Sequence, residues 1–344
     1  MKESLNIAIA GATGYVGIEL VKILCKHPKA NIVYLCASKS IGRTIKSFDK
    51  KIKKKLPKIS DLKKIEWNKI DLIFTSLPNG EAQKIAKKIP QRVKLIDLSA
   101  DFRLKNLNVY KKFYKINHNS KKLIKKSIYS ITEFSRKDLP NYDIISCPGC
   151  YPTSIQLPLL PLLKAKLIKT DKIIIDSKSG YSGAGRKIEK KLNDDNFLKS
   201  FSAYAVGSHR HVPEINQELS KASNRIINVN FTPHIMPVYR GILSTMYLDI
   251  AKNISAKKIY MFLKNYHKNN FFIKIAKFNT PIGTSNVLNT NFCNISVCMG
   301  NESQKVIIIS AIDNLIKGAS GQAVQNMNVS YRMKENLGLI WKNL

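Results

Sequence analysis

Carboxylates are scarce in this chain. Against 58 lysines and arginines stand 23 aspartates and glutamates, a formal net charge of +35 over 344 residues. Long apolar runs are missing too: no stretch approaches the ~18 uninterrupted apolar residues of a membrane helix. The N-terminal run Leu5–Ala10 is broken by Asn6 and followed at once by Gly11, Thr13 and Gly14. That is shorter than the apolar segment of about 7–15 residues in a signal peptide, so a cytoplasmic chain with no membrane partner is expected. Cysteine is sparse, and Cys25, Cys36, Cys147, Cys150, Cys293 and Cys298 form no disulfide framework. Cys147-Pro148-Gly149-Cys150 is formally C-x-x-C, but no second such pair completes a four-thiolate zinc site. No metal is expected.

The basic excess attracts polyanions. A nucleic-acid binder, however, concentrates its cations on one element among aromatics. Here lysine is spread over nearly every polar segment, densest in Lys50–Lys58, which reads as an exposed loop. The composition therefore predicts solvated lysine surfaces and no nucleic-acid partner, with a field that favours small anionic substrates. At 44% hydrophobic and 24% charged residues, the chain can bury sizeable cores, and its length suits about two domains.

The first half alternates strand and helix. Ile7–Ala12, Asn31–Ala37, Leu72–Leu77 and Val93–Leu98 read as buried strands. Tyr15–His27 and Glu81–Ile89 have helical spacing. That alternation predicts βαβ units and a parallel sheet covered on both faces. After Cys150 strands come in near succession, at Ile173–Asp176, Ile226–Phe231, Leu243–Ile250, Phe271–Ala276, Phe292–Met299 and Val306–Ser310. Helices are expected near Glu214–Ser220, Ala256–His267 and Gly318–Met327. This half predicts a mainly antiparallel sheet with helices on one face, an α+β domain.

Gly11-Ala12-Thr13-Gly14-Tyr15-Val16-Gly17 follows the first strand and opens the first helix. It is a G-x-x-G-x-x-G variant of the dinucleotide fingerprint, in which glycines let the backbone approach a pyrophosphate held at a helix N-terminus. A site for NAD usually places a carboxylate at the end of the second strand. Here Ala37-Ser38-Lys39-Ser40-Ile41-Gly42-Arg43 has none, and Ser38, Lys39 and Arg43 can hold a 2′-phosphate. NADP(H) is the expected cofactor.

The segment Ser146-Cys147-Pro148-Gly149-Cys150-Tyr151-Pro152-Thr153 carries a strand into a Pro-Gly turn and a helix start. Amides at a helix N-terminus lower a thiol pKa, which marks Cys150 as a nucleophile, although Pro158 and Pro161 are expected to limit that helix. His209-Arg210-His211-Val212-Pro213-Glu214 supplies an acid/base; in an extended segment both rings would face one side. A thiol, an imidazole and NADP(H) suit one reaction class: thiolate attack on an activated acyl group, then hydride reduction of the thioester.

The ordered segments Asp97–Arg103, Pro148–Thr153, Asp176–Gly180, Ser182–Arg186, His209–Glu214, Phe231–His234, Arg240-Gly241, Gly283–Val287, Asp313–Leu315 and Gly321–Asn326 together resemble the N-acetyl-gamma-glutamyl-phosphate reductase family. The resemblance implies an α/β architecture, an N-terminal Rossmann dinucleotide-binding domain plus an α+β domain like that of glyceraldehyde-phosphate dehydrogenase. The NADP-binding domain would comprise 1–149 and 327–344, and the catalytic and oligomerisation domain 150–326. It implies reversible, NADPH-dependent reduction of N-acetyl-L-glutamyl 5-phosphate to the 5-semialdehyde in arginine biosynthesis, by a homodimer or homotetramer. Cys150 would be the nucleophile, with His211 or His209 as acid/base, His211 favoured. The cofactor would meet Gly11, Thr13, Gly14, Tyr15, Val16, Gly17, Ser38, Lys39, Arg43, Leu77, Pro78, Ser182, Gly183 and Asn314. The acyl phosphate would meet Arg103, Pro148, Gly149, Ser179, Gly180, Arg186, Arg210 and Glu214, with Lys178 and Arg240 as further cations in matching motifs.

Three positions depart from the family pattern. Cys147 stands where Asn is usual, Asn79 where His is usual, and Ser154 where a small residue is usual. Aspartate-semialdehyde dehydrogenase shares the architecture, but its nucleophile normally lies between Asn and Thr, not Gly149 and Tyr151. A carrier-protein-linked reductase of the lysine pathway is closer to this sequence.

Overall fold

A computed structural model describes residues 3–191 and 194–340. The chain forms two compact units. One comprises Met1–Pro148 with Ala319–Leu344, the other Gly149–Gly318. The second crossing lies eight residues before the expected boundary at 326/327. Asn326 explains why: its Oδ1 accepts from Ser130 Oγ at 2.8 Å and Thr132 Oγ1 at 2.6 Å, and its Nδ2 donates to Ser130 O at 3.2 Å. Residues 341–344 of the expected domain lie outside the described residues.

The first unit holds six described strands. β1 (Leu5–Ala10), β2 (Ala30–Cys36), β3 (Leu72–Thr75), β4 (Lys94–Asp97), β5 (Ser127–Tyr129) and β6 (Ile144–Ser146) lie in the order β2-β1-β3-β4-β6-β5, all pairs parallel. The strands are short and apolar because helices cover both faces. The order reverses at β1, the switch point where such sheets bind ligands. Helices α1 (Tyr15–Lys26), α2 (Glu81–Ala86), α3 (Leu107–Tyr114), α4 (Lys121–Lys125) and α5 (Thr132–Ser135) belong to this unit.

In the second unit, α6 (Cys150–Lys164), α7 (Asp195–Lys199), α8 (Val212–Ser223) and α9 (Ala256–Tyr266) accompany a seven-stranded sheet. Its strands are β7 (Ile174–Gly180), β8 (Ser202–Ala203), β9 (Asn230–Met236), β10 (Ile242–Asp249), β11 (Ile273–Ile275), β12 (Cys293–Met299) and β13 (Lys305–Ile312), in the order β11-β12-β13-β10-β7-β9-β8. The pairs β7–β9 and β11–β12 are parallel and the others antiparallel. A single helix α10 (Gly321–Ser330), preceded by a π-helical turn at Ile316–Ser320, returns to the first unit. Among the described residues no helix is long and apolar enough to cross a membrane.

Two expectations fail here. Helix α6 runs through Pro158 and Pro161 rather than stopping at them. Pro161 cannot donate to the carbonyl of Leu157, but His267 fills that place, its Nε2 lying 3.2 Å from Leu157 O. The helix is buried on every side from Tyr151 to Leu163, so packing outweighs the propensity cost of about 3 kcal/mol per proline. The His209–His211 segment is a turn, not extended chain. His211 is the N-cap of α8 with φ −85° and ψ −13°, because Val212 N–H donates to His209 O at 3.0 Å and closes the turn.

Candidate active site

The glycine loop is built as the turn chemistry requires. Gly11 has φ +86°, and a Cβ there would sit 2.1 Å from Ser76 O; one on Gly17 would sit 2.2 Å from Gly11 O. Both must be glycine for β1 to turn into α1. Gly14, the N-cap of α1, has open space instead, its nearest neighbour 3.6 Å away. That opening lies at the amide end of α1, with Thr13, Tyr15 and Val16 beside it, and suits a pyrophosphate. At the end of β2, Arg43 stacks over the Phe48 ring at 4.5 Å, in the loop that also carries Ser38 and Lys39. Leu77 and Pro78 follow β3, with Leu77 Cδ2 3.5 Å from the Gly11 Cβ position.

The Asp97–Arg103 segment braces this unit. Asp97 accepts from Thr75 Oγ1 at 2.7 Å and from Ser99 N and Oγ at 2.9 and 2.8 Å. Burial, then the neighbouring Asp101 carboxylate, raise the Asp97 carboxyl to about 6. Asp101 accepts from Gly80 N, Gln83 N and Tyr110 Oη. Arg103 is buried, donating to Cys147 O at 2.9 Å and Leu98 O at 2.8 Å. Cys147 is fully buried, and Asn326 Nδ2 lies 3.6 Å from its Sγ. Burial pushes its thiol up to about 12, so it stays protonated and is a poor nucleophile.

In the second unit Cys150 is the first residue of α6. Two glycines crowd it. A Cβ on Gly149 would meet His211 Nε2 at 2.5 Å, and a Cβ on Gly318 would meet Cys150 Cβ at 2.8 Å. The His211 imidazole therefore lies against the main chain immediately before the thiol. Glu214 locks that turn from beneath: fully buried, it accepts the Gly149 N–H at 2.7 Å. Cys150, Ser179, Gly180, His209, Arg210 and His211 line one cavity of about 570 Å³.

His209 is held from both ends. Its Nδ1 accepts the His211 N–H at 3.1 Å, and its Nε2 lies 3.4 Å from Tyr204 Oη. Burial, then the adjacent Arg210, lower its pKa to about 4. Tyr204 lines the same cavity, and nothing in its sequence setting marks it beyond an aromatic ring five residues before His209.

Other residues expected at the site have these places. Asn314 Nδ2 donates to Ser182 Oγ at 2.9 Å and its Oδ1 accepts Gly241 N–H at 2.7 Å. Gly183 lines the cavity. Arg186 pairs with Glu189 at 2.6 Å, Lys178 with Asp176, and Arg240 with Asp313 at 3.1 Å. Glu214 and Arg186 are not among the cavity walls. Pro148 lies in the first unit.

Residues 6–142 match the family model "Semialdehyde dehydrogenase, NAD binding domain", and residues 150–314 match "Semialdehyde dehydrogenase, dimerisation domain". N-acetyl-gamma-glutamyl-phosphate reductase from Ehrlichia ruminantium (strain Gardel) is 43% identical over 99% of each chain. A probable chloroplastic N-acetyl-gamma-glutamyl-phosphate reductase from Oryza sativa subsp. japonica is 41% identical over 99% of this chain and 83% of its own. The chain belongs to the N-acetyl-gamma-glutamyl-phosphate reductase family. It is an oxidoreductase of the semialdehyde dehydrogenase type with a nicotinamide-dinucleotide site in its first unit. The fold is shared further afield. Aspartate semialdehyde dehydrogenase II from Vibrio cholerae superposes with a TM-score of 0.72 at 18% identity, over 96% of this chain and 99% of the other. The Candida albicans aspartate semialdehyde dehydrogenase solved with NADP gives 0.71 at 16% identity, over 97% and 99%.

Proposed function

We propose that this chain reduces N-acetyl-L-glutamyl 5-phosphate to N-acetyl-L-glutamate 5-semialdehyde with NADPH, reversibly, through a thioester on Cys150. The observation that carries this reading is the packing of His211 against the Gly149–Cys150 main chain in one cavity. His211 takes the thiol proton as Cys150 Sγ attacks the acyl carbon. The carbon–sulfur bond forms, the carbon–oxygen bond to phosphate breaks, and phosphate leaves with the electron pair. The Cys150 N–H lies at the amide end of α6, as the first residue of that helix, and is the proposed donor to the oxyanion. Bound NADPH supplies the hydride that brings the thioester to the aldehyde level. His211 moves the remaining proton as the carbon–sulfur bond breaks and the thiol is restored.

Arg210, Ser179 and Gly180 line the cavity and are the proposed contacts of the acyl phosphate. Gly149 and Glu214 act through the main chain beside the nucleophile, and Arg103 holds the Cys147 carbonyl in the first unit. NADP(H) is preferred over NAD(H) because Ser38, Lys39 and Arg43 replace the usual carboxylate after β2. The chain is proposed to act in the cytoplasm, where its six cysteine thiols, all of them buried or half-buried, persist reduced. It is proposed to act as a homodimer or a homotetramer. The sheet face bearing Ile174, Tyr247, Ile307 and Cys298 in lateral register offers a self-complementary surface, and the model covering it is described as a dimerisation domain.

The test is to trap the acyl enzyme with N-acetylglutamyl phosphate without cofactor and locate the adduct by peptide mass analysis. An adduct on Cys150, absent in Cys150→Ser, is expected. Turnover by Cys150→Ser, or turnover only with aspartyl phosphate or a carrier-bound acyl phosphate, would reject the reading.

A further inference from the structure

We infer that His209 is a positioning residue, locked as a neutral imidazole with its proton on Nε2, and that Tyr204 accepts that N–H; the inference rests on the proposed reaction. The two histidines are equivalent in the sequence but not in the fold. An imidazole nitrogen that accepts a main-chain N–H carries no proton, so the ring's one proton is on the other nitrogen. His209 Nδ1 accepts from His211 N–H at 3.1 Å. Its Nε2–H therefore points at Tyr204 Oη, 3.4 Å away. The Tyr204 hydroxyl donates in turn to Tyr151 Oη at 3.2 Å, and Tyr151 to the main-chain carbonyl of His234 at 3.3 Å. Every donor in this chain faces one way and ends on a carbonyl that has no proton to give. The ring is packed edge-to-face against Tyr151 and Phe231, with centroids 5.4 and 5.5 Å away, so it cannot turn over without disturbing both.

The facing charges agree with a neutral ring. Arg210 is its neighbour in the chain, and none of the aromatic residues around it is an anion. Thus His209 has no free lone pair for a substrate proton. What it does is fix the main chain of His211 at the start of α8, and so the position of the imidazole that lies against Gly149.

The experiment compares His209→Asn with His209→Ala. The Asn Oδ1 occupies the place of Nδ1 and accepts an N–H two residues on, but it cannot transfer a proton. For the Ala variant, kcat is expected to fall about 100-fold, the cost of an ångström-scale misplacement. The Asn variant should recover to within about tenfold of the native enzyme, with the pH profile of kcat/KM unmoved. Tyr204→Phe should lower kcat a few-fold in the native background and have no further effect beside His209→Asn, which has no Nε2 to hold. An Asn variant as slow as the Ala variant, with NADPH still bound, overturns the assignment. So does loss of one limb of the pH profile. The 15N spectrum of the histidine-labelled native protein gives a readout free of turnover. His209 should show the Nε2–H form down to about pH 5, and protonation above that overturns the proposal. Cys150→Ser and His211→Asn run alongside: if they retain turnover, it is the thioester mechanism that fails, while the tautomer result stands.

Discussion

Replacing Gly149 by alanine isolates the contact on which the proposed mechanism turns. The residue has φ −68° and ψ 158°, a conformation alanine adopts without strain, and its N–H remains available to Glu214. The new Cβ, however, would lie 2.5 Å from His211 Nε2 and 2.8 Å from both flanking ring carbons. Ordinary carbon contacts begin near 3.5 Å, so the imidazole must recede by about 1 Å. Overpacking of this size costs about 1–3 kcal/mol of stability, partly offset by about 0.4–1 kcal/mol from the stiffer unfolded chain. A domain of this size tolerates that loss. Catalysis does not: an ångström of misplacement costs about 100-fold in kcat/KM.

The assay pairs steady-state turnover with the pH dependence of Cys150 alkylation, which reads the thiol–imidazole contact without substrate. Both should change in Gly149→Ala, while the melting temperature falls by only a few degrees. Gly283→Ala is the control, since a Cβ there meets nothing within 4 Å. Turnover within twofold of native, with an unaltered alkylation profile, would show that His211 does not act on Cys150.

Two further predictions concern acid and cofactor. His209 has a folded pKa lowered from 6.5 to about 4, so the unfolded chain binds more protons between those values and stability falls as pH drops through that window. From pH 7 to pH 5 this costs about 2 kcal/mol, and the buried Asp97, raised from 3.8 to about 6, returns about 1 kcal/mol because the folded state there takes the proton. Urea melts at the two pH values should show His209→Asn losing less stability on acidification than the native chain; equal losses contradict the assigned burial. Substituting both Lys39 and Arg43 by alanine should raise the KM for NADPH at least tenfold, the worth of a charged hydrogen bond of about 1.5–3 kcal/mol, with little change for NADH. An unchanged NADPH:NADH ratio of kcat/KM rejects the 2′-phosphate assignment.

Much of the first unit was legible because its signals are local. An apolar run, a glycine that must take φ +86°, and an amphipathic run after it leave few alternatives to β1, turn and α1. The place of Cys150 was legible for the same reason: a Pro-Gly turn fixes where α6 starts, and hence what sits at its first position. The short elements α3 to α5 and β5 carry too few residues for a period to emerge, and were not seen.

What escaped sequence reasoning depends on partners far along the chain. A proline is read locally as a stop, since it deletes a donor. Whether the deletion matters depends on who else can reach the orphaned carbonyl. For Leu157 that partner is His267, 110 residues away, whose own Nδ1 is 2.8 Å from the amide of Asn270. The same logic separates the two histidines of the cavity. Spacing alone makes them a pair; Tyr204, Tyr151 and the main chain of His234 engage only one of them. A site residue's role is thus set less by its own chemistry than by which of its atoms the fold has already engaged. In this cavity both His209 nitrogens are engaged, which is why the proposed mechanism gives the proton to His211.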